Sequence, residues 1–472
     1  MRTKLSEGAR FNPALSWQTM ATIVCLCFFI TLLRVVSTAQ DTQPKDGRYY
    51  ESLARKAYQA KDYSSFLANM KMAAELRPNH PRLMYSLAVG YALTGQQTEA
   101  LLWLGKVAAM GLVYPADKDK DFEALKGRDE FKTILKSFEQ NKAPLITSAP
   151  AFTIREKGLI PESVAYDSLS ETFYLSSVYK RKILSLNKRG EVKDFADARD
   201  GLWSVMGMKV DAARRLLWVC TAAHPQMVGY REAENGDTAL FKYDLRSGRL
   251  IRKYTLAHNP KPHWFGDLVI NSRGDVFATD SLSPAIYVVR SGRDELELFL
   301  EGEPFSSLQG LDFTPDEKRL FVADYAKGIF VVELATKKAV NLAPAPDSTL
   351  LGIDGLYFYK GSLIGVQNGV NPQRLVRLFP SADLSRVERF EIIEANNPVF
   401  DEPTLGVLVK DMFYFIANSQ WNLIDKNGQL APADKLKEPA ILKIRLRAKP
   451  ETRRAAKPRQ SSKDNLSLAA PR

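Results

Sequence analysis

The sequence predicts an α+β multidomain protein, an all-α region of paired helices followed by an all-β six-bladed β-propeller. Three observations predict it. Large and small apolar residues recur with an offset of 34 between residues 50 and 110, a strand-turn-strand unit recurs six times after Pro144, and the composition is globular. Of 472 residues 45% are hydrophobic and 25% charged, which excludes collagen-like, coiled-coil and wholly disordered chains.

The N-terminus comes first. Ala21 to Leu33 is an uncharged apolar run of 13 residues, preceded by a net-positive segment and followed by Ser37-Thr38-Ala39. A bilayer-spanning helix needs ~20 apolar residues, so residues 1–39 read as a signal peptide with a mature start near Gln40. The alternative is an uncleaved anchor over residues 21–36, interrupted by Arg34. The chain is therefore expected to be exported, periplasmic or secreted, or held at a membrane by that anchor alone. Cys25 and Cys27 lie inside the run, so Cys220 is the single cysteine of the mature chain and no intrachain disulfide can form. Cys220 ends the apolar run Leu216 to Cys220 and reads as a buried thiol.

The net charge of +12 is concentrated at the ends, +3 over residues 1–39 and +6 over residues 447–472, leaving +3 for residues 40–446. A body so near neutrality lacks the dense basic face that phosphate recognition demands, and nucleic acid is not expected as a partner.

In the helical region, expected over residues 45–142, Leu53 and Ala54 recur as Leu87 and Ala88, Phe66 as Ala100, and Met70 as Leu104. Helices are expected near 48–60, 63–76, 81–94 and 97–110, separated by turns at Lys61-Asp62, Pro78-Asn79 and Gly95. A fifth, from Asp129 to Gln140, puts Phe131, Ile134, Leu135 and Phe138 on one face and would cap the stack. The offset and the pattern Tyr50, Leu53, Ala54, Ala57, Phe66, Met70, Ala73, Pro78 resemble tetratricopeptide repeats, implying either a peptide-binding groove for a protein partner or a plain helical cap.

The propeller is expected over residues 150–446. Its units start at Glu162, Met206, Gly266, Gly310, Asp354 and Thr404, spaced 44, 60, 44, 44 and 50 apart. Each holds an apolar strand, a polar turn such as Asn271 to Gly274 and a β-rich strand, with a third strand after it, for example Ala285 to Val289. Closure requires Phe152 to Arg155 to pair with Ala440 to Leu446. The insertion from His224 to Thr238 accounts for the long second spacing and is expected to project as a loop. Residues 447–472 are rich in Pro, Ser, Lys and Arg and read as a disordered basic tail.

Four stretches carry a family likeness: Glu162 to Asp167, Phe265-Gly266-Asp267, Gln309 to Asp312 and Ile353-Asp354-Gly355. Through them the chain resembles the gluconolactonase, senescence marker protein and luciferin-regenerating enzyme family, with strictosidine-synthase-like propellers as cousins. The resemblance implies a divalent cation, Ca2+ foremost, in the central channel. It assigns Glu162, Gln309 and Asp354 as metal ligands, Gln309 standing where the family has Asn. It also implies Asp354 or Asp267 as catalytic base, and Asp267 as a substrate contact, with Gly266 replacing the family's Asn. His263 at the channel rim and Glu402 ahead of the sixth unit complete the substrate-binding candidates.

No Gly-x-Ser-x-Gly elbow, His-Glu-x-x-His, phosphate loop or Cys-x-x-Cys occurs, and His80, His224, His258 and His263 show no metal-ligand spacing. Trp421 reads as a packing residue. The sequence thus supports two main readings beside a third, a strictosidine-synthase-like condensing or hydrolytic propeller that rests on architecture alone. One is an exported binding or scaffold protein using its helical repeats and a propeller face, its channel carboxylates holding a structural cation or none. The other is a divalent-cation-dependent hydrolase of a sugar lactone or similar ester, with a small-molecule lactone in the channel.

Overall fold

The computed structural model describes residues 45–447; the signal-like segment with its anchor alternative, and the tail beyond Arg447, lie outside the described residues. The chain divides into two compact units with the boundary between Leu76 and Arg77, between the two helix pairs.

The first unit contains α1 (Gly47–Gln59) and α2 (Tyr63–Leu76). Each starts on an aspartate that caps a free backbone donor: Asp46 accepts from the Tyr49 N–H at 2.9 Å and Asp62 from the Ser65 N–H at 3.0 Å. Ala54, Phe66, Met70 and Ala73 are buried. The second unit opens with α3 (Pro81–Leu93), whose first residue is a proline preset for helix entry, and α4 (Gln97–Ala109). Lys61, Asn79 and Gly95, the expected turn residues, all adopt positive φ. A 3-10 turn, Lys120–Leu125, leads to α5 (Asp129–Asn141), which buries Phe131 and Phe138. The Asn141 amide donates to the carbonyls of Ala108 and Leu112, both at 2.8 Å, tying the end of α5 to the end of α4.

Six four-stranded antiparallel sheets follow. Blade 1 runs from Val164 to Ala196, blade 2 from Ser204 to Leu256, blade 3 from Phe265 to Glu301, blade 4 from Leu308 to Asn341 and blade 5 from Ile353 to Ala395. In each of these, strand order in the sheet equals strand order in the chain. Blade 6 takes Gly406–Val409, Met412–Ile416 and Ala440–Arg445 from the C-terminal end and Ala149–Thr153 from before blade 1. The ring thus closes by pairing the chain's two propeller ends. The closing strand lies a few residues earlier than Phe152 to Arg155, and its register slips between Pro150 and Phe152. Proline has no N–H for the ladder and is tolerated on this outermost strand.

Neighbouring blades share apolar cores. Phe277, Phe299, Phe313 and Leu320 fill the space between blades 3 and 4, and Cys220 is a free thiol buried between blades 2 and 3. The insertion after residue 223 does not simply project. Backbone bonds Ala223 N–H to Asp237 and Gly236 N–H to Ala223 fold it back, and His224 and Met227 are buried.

Two buried charges seat α3–α5 and the following linker on blade 5. Arg374, fully enclosed, donates from Nε to Gln367 Oε1 at 2.6 Å and from Nη1 to the Met110 carbonyl at the end of α4 at 2.8 Å, and burial pulls its pKa down to about 9. Glu394, also fully buried, accepts from the Thr147 and Ser148 N–H groups, both their hydroxyls and the Asn397 amide.

Candidate functional site

The channel is walled by the innermost strand of each blade, and four of these strands share one irregularity. Pairing with the second strand slips between Val205 and Met208, Phe265 and Leu268, Leu308 and Leu311, and Ile353 and Leu356. Each bulge contains a glycine: Gly207, Gly266, Gly310 and Gly355. Bulges re-aim side chains and recur beside functional sites. Asp267, Gln309 and Asp354 all sit in them.

The glycines let the strands crowd. A Cβ on Gly207 would meet the Asp267 Cα and the Gly266 carbonyl oxygen at 2.7 Å; one on Gly310 would meet the Leu356 nitrogen at 2.5 Å and the Asp354 oxygen at 2.6 Å. Backbone contact between blades 2 and 3 and between blades 4 and 5 therefore fixes the two aspartates. Blade 1 brings Glu162 just after Ile160, a β-branched residue held at φ 49°. Ahead of blade 6, Glu402 sits at φ 65°, with its N–H bonded to Gln373 Oε1 at 3.1 Å. Left-handed backbone at such residues is costly and concentrates where structure serves a site.

The resulting electrostatics are unusual. Glu162, Asp267 and Asp354 are each less than a tenth exposed. Burial, then the charge of Asp354, holds Glu162 well above the carboxylate range against the pull of one hydrogen bond, from Trp421 Nε1 to Glu162 Oε2 at 2.8 Å. Burial raises Asp354 to about 7; the Asn368 amide, donating to Asp354 Oδ2 at 2.9 Å, opposes the rise, and the charges of Asp267 and Glu402 add to it. Glu402 is raised by burial and by Asp401. Asp267 is raised by burial against the Lys209 ammonium, whose Nζ lies 3.6 Å from Oδ1, and neither carboxylate oxygen has a hydrogen-bond partner.

Sequence alone gives no signal for Lys209, Asn368 and Tyr325, and Asp312 stands only at the end of the family-like stretch Gln309 to Asp312. Lys209 also lies 4.8 Å above the Tyr357 ring. Burial lifts Asp312 to about 6 although it accepts the Phe358 and Phe313 N–H groups. The Tyr325 hydroxyl donates to Asn368 Oδ1 at 2.9 Å, supporting the amide that holds Asp354. Trp421, expected only to pack, contacts Glu162 directly. Of the remaining expected residues, His263 is buried with Nδ1 2.5 Å from Asp280 Oδ2, and Gln309 donates from Nε2 to Ser307 Oγ at 3.3 Å. His224 stacks on Trp264 at 4.4 Å and lies 5.7 Å from Trp421.

Among the described residues no three His, Cys, Asp or Glu side chains converge at metal-ligand spacing. A cation at this site would draw on the carboxylates of Glu162 and Asp354, the Gln309 amide and water. Those are hard oxygen donors of the kind calcium and magnesium accept.

No known family model and no curated protein matches the chain. Solved structures similar to it include a gluconolactonase from Xanthomonas campestris (13% identity, 63% of this chain and 94% of that one, TM-score 0.42). An aldose sugar dehydrogenase from Streptomyces coelicolor, in its PQQ-bound form, gives 12%, 64%, 99% and 0.45, and a luciferin-regenerating enzyme 11%, 65%, 98% and 0.43. At this level of similarity the neighbours carry no statement about what this chain binds, which is read from its own residues.

Proposed function

We propose that the chain is an exported binding protein whose propeller channel takes a positively charged ligand at Glu162 and Asp354, with Gln309 and Glu402 beside them. The observation that supports this reading is the set of channel carboxylates enclosed in protein yet given one hydrogen bond or none from it. Burying a charge without partners is strongly unfavourable, and a bound cation would remove both the desolvation and the mutual repulsion. A divalent ion such as Ca2+ suits the oxygen donors. The test is melting of the chelator-treated full chain with and without calcium. A calcium-dependent rise that disappears in Glu162→Gln with Asp354→Asn is expected; an unchanged melting temperature contradicts the reading.

A second reading, hydrolysis of a lactone, has its own support: burial raises Asp354 to about 7, so at neutral pH it can accept and return a proton. A bound cation would supply Lewis acidity toward the carbonyl. Asp354 would take a proton from water as its oxygen attacks the carbonyl carbon, then pass it to the ring oxygen as the acyl C–O bond breaks. Turnover of a lactone panel, lost in Asp354→Asn, is the expected result; no turnover leaves binding as the function.

A further inference from the structure

The channel contains two seats built from the same chemical parts, an aromatic face beside a buried carboxylate, and a cation of the protein's own pairs with only one of them. In the first, the Lys209 ammonium lies 3.6 Å from Asp267 Oδ1 and 4.8 Å above the Tyr357 ring. The second lies where Trp421 donates from its indole edge to Glu162 and where Asp354 and Glu402 add their charges. Among the described residues no Lys, Arg or His forms an ion pair with any of these three acids.

Beside the second seat three aromatic rings cluster, Trp264, Trp421 and His224. Trp264 and Trp421 are half-buried, with centroids 6.3 Å apart, and the His224 ring stacks against Trp264 at 4.4 Å with a 27° tilt. His224 Nδ1 accepts the Gln226 N–H at 3.2 Å, which leaves the ring proton on Nε2, itself buried without a partner. Burial drives the His224 pKa down to about 3, so the ring stays neutral and places no positive charge beside the wall. Tyr325, joined to Asp354 through Asn368, adds a further ring near the acids. Aromatic faces next to carboxylates attract alkylated ammonium groups, which spread their charge over a greasy surface that water hydrates poorly.

We propose that the ligand of this channel is an organic cation, an alkylated or quaternary ammonium, with its charge against Glu162 and Asp354 and its alkyl groups against Trp264 and Trp421. The proposal rests on the cation-site reading above and narrows it to a ligand class that would compete with calcium.

The experiment uses the full chain, tryptophan fluorescence and calorimetry, with choline and its uncharged carbon isostere 3,3-dimethylbutan-1-ol as probes. Saturable choline binding, no binding of the isostere, competition by calcium and at least tenfold weaker binding in both Trp264→Leu and Glu162→Gln are expected. Trp421→Phe, which keeps a ring but loses the hydrogen bond to Glu162, is the second variant should Trp264→Leu fail to fold, and should weaken choline binding severalfold. Equal affinity for choline and the isostere, or choline binding unchanged in the aromatic variants, overturns the proposal. Calcium binding without choline binding overturns it while leaving the cation-site reading intact, and binding of neither overturns both.

Discussion

Glu394 and the channel acids are almost equally hidden from water, and they are treated in opposite ways. Glu394 receives two backbone N–H groups, two hydroxyls and an amide, and it fastens the Thr147-Ser148 linker to blade 5. The Glu162 carboxylate receives one indole N–H, that of Asp354 one amide, and that of Asp267 no hydrogen bond, only the Lys209 ammonium 3.6 Å away. The difference teaches that burial alone does not mark a functional carboxylate. A buried acid with a full set of donors holds the fold together, whereas one left short of donors keeps its capacity for something else.

The largest expected effect breaks the satisfied partner of this pair. Glu394→Ala would remove the acceptor of four donors on the linker and of the Asn397 amide, and should cost about 3–5 kcal/mol in chemical denaturation, by analogy with removing one member of a buried charged network. An effect under about 1 kcal/mol would dissolve the contrast. Asp354→Asn should do the reverse. Its folded-state pKa, raised to about 7, lies above the ordinary 3.8. The folded chain then holds a proton that the unfolded chain releases, and stability is lost as pH rises from about 4 to 7. Removing the titration should therefore stabilise the protein at pH 8 by a few kcal/mol, at ~1.4 kcal/mol per pKa unit, with no gain at pH 4. Urea denaturation at the two pH values checks the sign.

Two smaller effects sharpen the comparison. Gly310→Ala pushes a methyl into the backbone of Asp354 to Leu356 and should cost about 1–3 kcal/mol while weakening any ligand held by Asp354; unaltered stability would mean the close approach is not needed. His224 works on the acid side. Its pKa is depressed to about 3, so its contribution is complete above the unfolded value of 6.5 and is lost as pH falls toward 3. Replacing it with Gln should flatten the decline between pH 6.5 and 5.5 by about 1 kcal/mol, measured as the difference in denaturation midpoints.

The blades were legible because propeller strands repeat in sequence as they do in space: units starting at Glu162, Met206, Gly266, Gly310, Asp354 and Thr404 became the inner parts of six sheets. The helices were legible for a similar reason, since Lys61, Asn79 and Gly95 mark chain reversals that only a few residue types make easily. The site was legible only in part. Glu162, Asp267, Asp354 and Glu402 stand out as acids at the starts of apolar strands. Lys209 looked like any polar residue in an alternating strand, and its link to Asp267 depends on how two blades approach. A recurring signal was present but unused: glycine at or next to each bulge, at 207, 266, 310 and 355, marks where the strands crowd. The folding back of His224 onto Trp264 had no periodic signal, because insertions follow no repeat.

Glu162 and Asp354 are held short of partners, and a cation is proposed to complete them. The most direct measurement is calorimetric titration of calcium into the chelator-treated full chain at pH 7, in two buffers with different ionisation heats. Saturable binding with net proton release, both abolished by Glu162→Gln plus Asp354→Asn, is the result expected from acids whose protons a cation displaces. Absence of saturable binding, or identical binding by the double variant, would contradict the account.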